Sequence, residues 1–431
     1  MGDARDVVTK RIASEFKRFP NIGLKKLDVA DLVGRDAALA RAIDHAIRRR
    51  WITLSTLISH ASTRETQELD APVGAVLLVA TAQLFQLDRI PDHAVINCAV
   101  DWIRDRGKRP KATGFVNAVL RKITRLRGSL IESGTIGQAN HFLRSDGSAW
   151  ELTENVFADG VASQTGFPQK AWARLVKERG EKTSTQIALG SIAEPPLIVA
   201  LPPTVAIPPN VTPHEDSRFG VVNEGVDLES LFLESPTLRV QDPTSAGSLD
   251  LLKNLKPRRI LDLCAGRGTK TKQLRALFPD AMIGATEPND ERRMFLTEVA
   301  KEIDVAVYAT NTGGPTEQFD LVVVDTPCSN SGVFARRPEA KLRYDAEHVA
   351  SLVELQRTIL RDAIPILQNK GHLLYTTCSI DHAENDAQIQ WLTTKHLMRT
   401  CLDTFTLPSG RPGSDPTRWH DGGFAALLQA R

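Results

Sequence analysis

Residues 321–332 read Leu-Val-Val-Val-Asp-Thr-Pro-Cys-Ser-Asn-Ser-Gly. Four apolar residues, three of them β-branched, run up to Asp325. An unbroken apolar run of this length is the signature of a strand buried on both faces of a parallel sheet. Pro327 cannot donate to a strand ladder, so Asp325 and Cys328 are left at the strand's C-terminal edge. Open α/β sheets bind their ligands at that edge. The stretch therefore predicts a fold and poses a question of chemistry: whether Cys328 is a nucleophile, and toward what.

The flanking text repeats the pattern. Residues 259–264, 282–286 and 305–309 read as strands before it, and 372–376 as a strand after it. Helical periods fill the gaps, one after the turn at 265–271 and running to 278, the others at 291–302 and 345–367. This alternation with short turns predicts an α/β, Rossmann-like, doubly wound sheet over 239–431.

The first of these strands runs into Gly266-Arg267-Gly268, a turn that lets backbone approach a ligand closely. Glu287 ends the next strand, where an acid can take both hydroxyls of a ribose. The third glycine of a dinucleotide fingerprint is missing, and no G-x-x-x-x-G-K-[ST] occurs. The site suits an adenosine carrier without a pyrophosphate, such as S-adenosylmethionine.

The fifth strand ends in Thr377-Cys378-Ser379, so the fold brings a second thiol to the rim that carries Cys328. One buried cysteine is ordinarily core filler. Two at the ligand edge, each followed by serine, weaken that reading. Cys264 reads mainly as packing beside the glycine turn, and Cys98 and Cys401 as inert. Five cysteines with no C-x-x-C pair indicate neither a disulfide framework nor a zinc ribbon.

Residues 1–135 read as all-helical, with apolar periods at 6–19, 35–54, 71–87, 94–104 and 114–126. They hold 23 Lys and Arg against 15 Asp and Glu, in a chain whose net charge is only +2. Positions 104–127 alone carry nine cations and one acid, enough to neutralise several phosphates. A solvated helical face accounts for the charge equally well. Residues 136–165 are expected to be a linker, its glycine-bearing look beginning at 128. Residues 166–238, with a helix at 168–178 and short strands at 195–201, 219–222 and 231–233, are expected to form a small α+β insert. No signal peptide or apolar run of about 20 residues is present, so a soluble cytoplasmic protein is expected.

Three stretches carry a resemblance: Asp262 to Thr271 (DLCAGRGTKT), Asp325 to Val333 (DTPCSNSGV), and Tyr375 to Ile380 (YTTCSI) with Glu384-Asn385. They resemble the RNA 5-methylcytosine methyltransferases. Gly114 to Lys122 (GFVNAVLRK) resembles the closing helix of the NusB-like RNA-binding domain, and the whole chain then resembles the RsmB (Sun/Fmu) branch, which acts on small-subunit ribosomal RNA. The resemblance implies S-adenosylmethionine-dependent methylation of cytosine carbon 5 through a covalent cysteine adduct, with Cys378 as nucleophile, Cys328 assisting release, and Asp325 touching cofactor and base. It implies cofactor contacts from Cys264, Ala265, Gly266, Arg267, Gly268, Thr269, Lys270, Glu287, Asn311 and Asp325. Arg336 and Lys341, in a motif matching the family, and Arg121 and Lys122, on the basic helix, are the expected RNA contacts. The 166–238 insert would touch RNA as well. A monomer with no metal and no membrane partner is expected. The chain departs from the family at 266–269, usually Ala-Pro-Gly-Gly, and at Asn311, where an acid is usual.

Two other readings stay open. In one, the Pro-Cys thiol, Cys328, is the nucleophile. In the other, the altered turn and Asn311 mark a non-catalytic RNA-binding or ribosome-assembly factor. A small-molecule methyltransferase explains neither the paired thiols nor the basic front.

Overall fold

The computed structural model describes residues 3–23, 26–87, 90–202, 206–308 and 317–431. The chain forms two compact units. The first comprises Met1–Glu194, Phe334–Tyr344 and Arg411–Gly413; the second comprises Pro195–Val333, Asp345–Gly410 and Ser414–Arg431.

In the first unit, helices α1 (Ala4–Phe16), α2 (Gly34–Ser62), α3 (Ala71–Gln86), α4 (Asp92–Asp105) and α5 (Thr113–Leu126) share one core. Helix α3 is apolar nearly all round and all but two of its residues are buried. Pro72 sits in its first turn, where no N–H is needed. Helix α5 buries Val116, Val119, Leu120, Ile123 and Leu126, a one-sided stripe that leaves Arg121 in solvent.

The linker expected at 136–165 is instead folded into this unit. Strands β1 (Arg127–Ile131), β2 (His141–Leu143) and β3 (Ala149–Leu152) form an antiparallel sheet in the order β1-β3-β2. Phe142 and Phe157 are fully buried, and Phe142 packs 4.6 Å from Phe85 in α3. Two of the glycines that suggest flexibility are close-packing sites. A Cβ on Gly128 would collide with the Glu151 carbonyl, and one on Gly134 would lie 2.6 Å from Leu143. Two helices, α6 (Val161–Thr165) and α7 (Gln169–Gly190), complete the contiguous part of the unit; Gly180, at φ 72°, kinks α7.

The second unit opens with β4 (Ile198–Ala200), β5 (Val211–Pro213), β6 (Phe219–Val222), α8 (Leu228–Glu234) and β7 (Arg239–Val240). The strands pair antiparallel in the order β5-β6-β4-β7. The strand expected at 231–233 is a turn of α8: Asp227 caps its first N–H groups and only Leu231 is buried.

There follow α9 (Pro243–Gly247), β8 (Arg259–Asp262), α10 (Thr269–Leu277), β9 (Met282–Thr286), α11 (Asp290–Glu302), β10 (Ala306–Tyr308), β11 (Phe319–Asp325), α12 (Ala346–Ala363), β12 (Leu367–Thr377), α13 (Asp386–Lys395), β13 (Arg399–Thr406) and β14 (Gly423–Gln429). The seven-stranded sheet has the order β10-β9-β8-β11-β12-β14-β13, and β14 alone runs against the others. The order reverses between β8 and β11, which is the switch point where such sheets take ligands. Leu321, Val322, Val323 and Val324 are completely buried, as a strand covered on both faces requires.

Candidate active site

Strands β11 and β12 are parallel neighbours, with Asp325 opposite Thr376. Three residues beyond Asp325 and two beyond Thr376 the chain places its thiols, so register alone brings them together. The Cys328 and Cys378 sulfurs are 3.1 Å apart. Asn330, held at φ 58°, lies 3.3 Å from the Cys378 sulfur through Oδ1 and donates to the Cys328 carbonyl. The two thiols differ in access. Cys378 lines a cavity of about 800 Å³ together with Asp325, Lys270, Thr376 and Ser245, whereas Cys328 is buried behind it. The hydrogen bond to Cys378, together with burial, pushes the Cys328 thiol up and keeps it protonated.

Asp325 is fixed at both oxygens. Lys270 donates to Oδ2 at 2.8 Å and Thr376 donates to Oδ1 at 2.9 Å. Lys270 also donates to Ser245 at 3.2 Å. Burial alone would lower the Lys270 pKa, but the Asp325 charge and hydrogen bond raise it overall, so the ammonium persists at neutral pH. Thr376 and Ser245 were missed in the sequence. Thr376 could have been found from strand register, but Ser245 precedes the sheet and gave no signal.

The glycine turn fits an adenosine cofactor with an aminoacyl end. Gly266 (φ 59°) and Gly268 (φ 87°) both adopt the left-handed region, and a Cβ on Gly266 would meet open space. Asp262 is buried beneath them. Thr271 donates to its Oδ2 at 2.7 Å, while Oδ1 has no partner among the described residues. A buried acceptor without a donor is costly and suits the ammonium of an aminoacyl group. At the end of β9, Glu287 takes the Asn289 N–H (2.8 Å) and Arg292 (3.0 Å) on Oε1, which leaves Oε2 for a ribose hydroxyl. Arg267 stacks 4.3 Å above Phe295 rather than pointing inward. Burial pushes the Cys264 thiol up, which makes it inert beside the turn. Asn311 lies outside the described residues.

Burial, with the charges of Asp325 and Glu287, pushes the Asp262 pKa up to about 6 from an ordinary 3.8. The folded carboxyl thus holds its proton more tightly than the unfolded one. Its contribution to stability is present below the unfolded value and falls as pH rises through the window up to about 6. A cationic ligand at Oδ1 favours the ionised form. Affinity for S-adenosylmethionine is therefore expected to rise about tenfold between about pH 5 and about pH 7. Titration calorimetry at both pH values measures this. A flat profile in the native protein, or an equally steep one in Asp262→Asn, would contradict it.

Among the RNA candidates, Arg121 is exposed and bonds Asn117, and Lys122 is half-buried and donates to the His60 carbonyl at 3.3 Å. Arg336 is half-buried. Lys341, expected to contact RNA, is a structural residue instead. It is wholly buried, and its amino group donates to the Arg49 carbonyl (2.8 Å) and the Thr165 carbonyl (2.7 Å) and lies 3.3 Å from the Ser191 hydroxyl. Burial, with the nearby Arg50 and Arg49 charges, pushes its pKa well down, and its enclosure by these partners leaves no phosphate able to reach it. Helix α2 leaves helical geometry at Arg50, and Lys341 caps the carbonyl at that break. Among the described residues, no cluster could hold a metal ion and no helix is long and apolar enough to cross a membrane.

Residues 250–412 match the family described as 16S rRNA methyltransferase RsmB/F, and residues 4–125 match the NusB family. A ribosomal RNA small subunit methyltransferase B from Erwinia tasmaniensis is 27% identical over 413 residues, which covers 90% of this chain and 89% of that protein. Its namesake from Xylella fastidiosa is 29% identical over 372 residues, 83% of this chain and 80% of the relative. Among solved structures, PH0851 aligns over 99% of both chains at 20% identity with a TM-score of 0.68, which shows a shared fold.

Proposed function

We propose, for a chain whose residues 250–412 match the RsmB/F family of 16S rRNA methyltransferases and whose residues 4–125 match the NusB family, that Cys378 is the nucleophile and Cys328 its partner in release. The activity is S-adenosylmethionine-dependent methylation of carbon 5 of cytosine in RNA. The observation that carries the assignment is the paired thiols, 3.1 Å apart, of which only Cys378 faces the cavity.

Carbon 5 of cytosine is too weak a nucleophile to take a methyl group unaided. The Cys378 thiolate adds to carbon 6, and the electron pair so released makes carbon 5 nucleophilic. S-adenosylmethionine, when bound, supplies the methyl cation equivalent that carbon 5 takes. The carbon 5 proton then leaves to a base, the carbon–sulfur bond breaks, and its electron pair returns to Cys378. Cys328, kept protonated by its neighbour and by burial, stands within hydrogen-bond reach of the departing sulfur and stabilises it as a thiolate. Asp325 holds the base edge, and Lys270 fixes Asp325. The turn at 264–270, Glu287 and Asn311 bind the cofactor. The target cytosine must leave its stack to enter the cavity, so single-stranded or flipped RNA is the substrate form.

Residues 1–135, with Arg121 and Lys122, serve as the RNA-binding module; 166–238 and Arg336 add contacts, and 239–431 does the chemistry. The protein works as a monomer in the cytoplasm. The test is transfer of labelled methyl groups to small-subunit ribosomal RNA, naked and within the particle, followed by bisulfite sequencing. One cytosine should become resistant. An unchanged map on both substrates would overturn the substrate.

A further inference from the structure

Each catalytic thiol is followed by a serine, and the two serines meet at one carboxylate. Ser329 donates its backbone N–H to Glu384 Oε1 at 2.8 Å and its hydroxyl to Oε2 at 2.5 Å. Ser379 donates its hydroxyl to the same Oε2 at 2.6 Å. Gln356, from α12, gives Oε1 a further donor at 3.0 Å and also bonds the Pro327 carbonyl. Ser331 lies 3.1 Å from Ser329 Oγ and 2.9 Å from Ser379 Oγ, closing the ring. Tyr375 anchors the Glu384 backbone by donating to its carbonyl at 2.6 Å.

Glu384, Ser331 and Ser379 are completely buried, and none of them lines the cavity. The carboxylate is thus remote from RNA and cofactor, yet it takes four donors and no acceptor. That is the pattern of an ionised group that is fully satisfied. The hydroxyl protons are ordered around it: the Asp381 N–H occupies Ser379 Oγ as acceptor and the Ile380 N–H occupies Ser331 Oγ. Burial pushes the Glu384 pKa up, and the bonds from Ser329 and Ser379 oppose that rise. A stability role alone would be met more cheaply by apolar side chains of similar volume. What the carboxylate supplies instead is a side-chain join, next to the thiols themselves, between two loops whose backbones also meet where the Gly332 N–H donates to the Cys378 carbonyl at 2.9 Å.

We propose that Glu384 is a positioning residue that ties the Cys328-Ser329 turn to the Cys378-Ser379 turn and so sets the separation of the two thiols. This rests on the reading that the thiols act in succession, one forming the adduct and the other releasing it. A shift of about 1 Å between reacting groups costs on the order of 10²-fold in rate. Release, which needs both sulfurs, is therefore more sensitive to the join than adduct formation, which needs one.

The test is Glu384→Gln in the full-length protein, with Ser379→Ala as a milder second variant. Glutamine keeps the shape but sets an amide N–H₂ against donors on one side. Turnover should fall by about 10²-fold in Glu384→Gln while the RNA KM changes by less than about threefold. A covalent protein–RNA band should accumulate with ordinary cytosine RNA, as it should in Cys328→Ala. The double variant should accumulate no more adduct than Cys328→Ala alone, because both act through one thiol. Phenylarsine oxide, which condenses with two adjacent thiols and releases water, reads the separation without RNA; Glu384→Gln should bind it more weakly than the native protein. Ser379→Ala should move each readout the same way by less. If Cys328→Ala accumulates adduct but Glu384→Gln loses adduct and turnover together, or keeps both, the join is refuted. If Cys328→Ala itself accumulates none, the succession of thiols is wrong and the proposal falls with it.

Discussion

Cys378→Ala should abolish both methyl transfer and adduct formation, whereas Cys328→Ala should form the adduct and fail to release it. Loss of an attacking group that defines the pathway costs about 10⁴-fold or more in turnover. The asymmetry between the thiols follows from their surroundings. Cys378 faces the cavity; Cys328 does not, and the bond to Cys378 with burial keeps its proton in place. A protonated, enclosed thiol is a poor nucleophile, and at 3.1 Å it can hold a hydrogen bond to the neighbouring sulfur as that sulfur leaves carbon 6. RNA carrying 5-fluorocytosine, which has no carbon 5 proton to lose, arrests the reaction at the adduct and makes the difference visible on a denaturing gel. A covalent band from Cys378→Ala and none from Cys328→Ala would reverse the assignment and restore the Pro-Cys thiol as nucleophile. The absence of methyl transfer in the native protein would leave the RNA-binding reading in possession of the field.

Lys270→Met should lower the rate of methyl transfer in a single turnover by about 10²–10³-fold, the usual cost of removing one preorganised charge from a reaction centre. The ammonium is 2.8 Å from Asp325 and stays charged, despite burial, because of that carboxylate. Without it, Asp325 loses the partner that aims Oδ2 and becomes an uncompensated negative charge beside the sulfur that must carry negative charge in the attack. Lys270→Arg should recover only part of the loss. The guanidinium is planar and larger, and the space between Asp325 and Ser245 is set for a compact ammonium. Single-turnover rates at saturating cofactor separate this effect from weakened binding. A rate within threefold of the native protein would show that Lys270 serves the cofactor turn alone.

The sheet and the pairing of thiols were legible because they depend on local text. The run at 321–324, the glycine turn and the Thr-Cys-Ser step each announce a strand end, and parallel register does the rest. What failed depended on contacts between distant residues. Gly128 and Gly134 look like flexible points in a sequence, yet each is glycine because another strand's backbone or side chain comes too close for a Cβ. Lys341 sits in a basic motif and reads as a phosphate ligand. Only the break in α2 at Arg50 shows which carbonyl it serves, and a mid-helix break left no mark in the sequence. Residues 231–233 are too few to have a period, so helix and strand could not be told apart. Glu384 stands in a stretch that resembles a family pattern, but its partners Ser329 and Gln356 come from other elements, which no local text reveals.

The position of Lys341 also bears on how such a protein can be inherited. The first unit takes Phe334–Tyr344 and Arg411–Gly413 from the far half of the chain, and the carbonyls of Arg49 and Thr165 receive their proton donor from there. A gene fragment ending at residue 194 would encode the helices but not the plug that closes the break between them. The region that matches the NusB family is therefore not a free cassette in this chain. Recombination that moved it to a new partner would have to supply another hydrogen-bond donor at the same break.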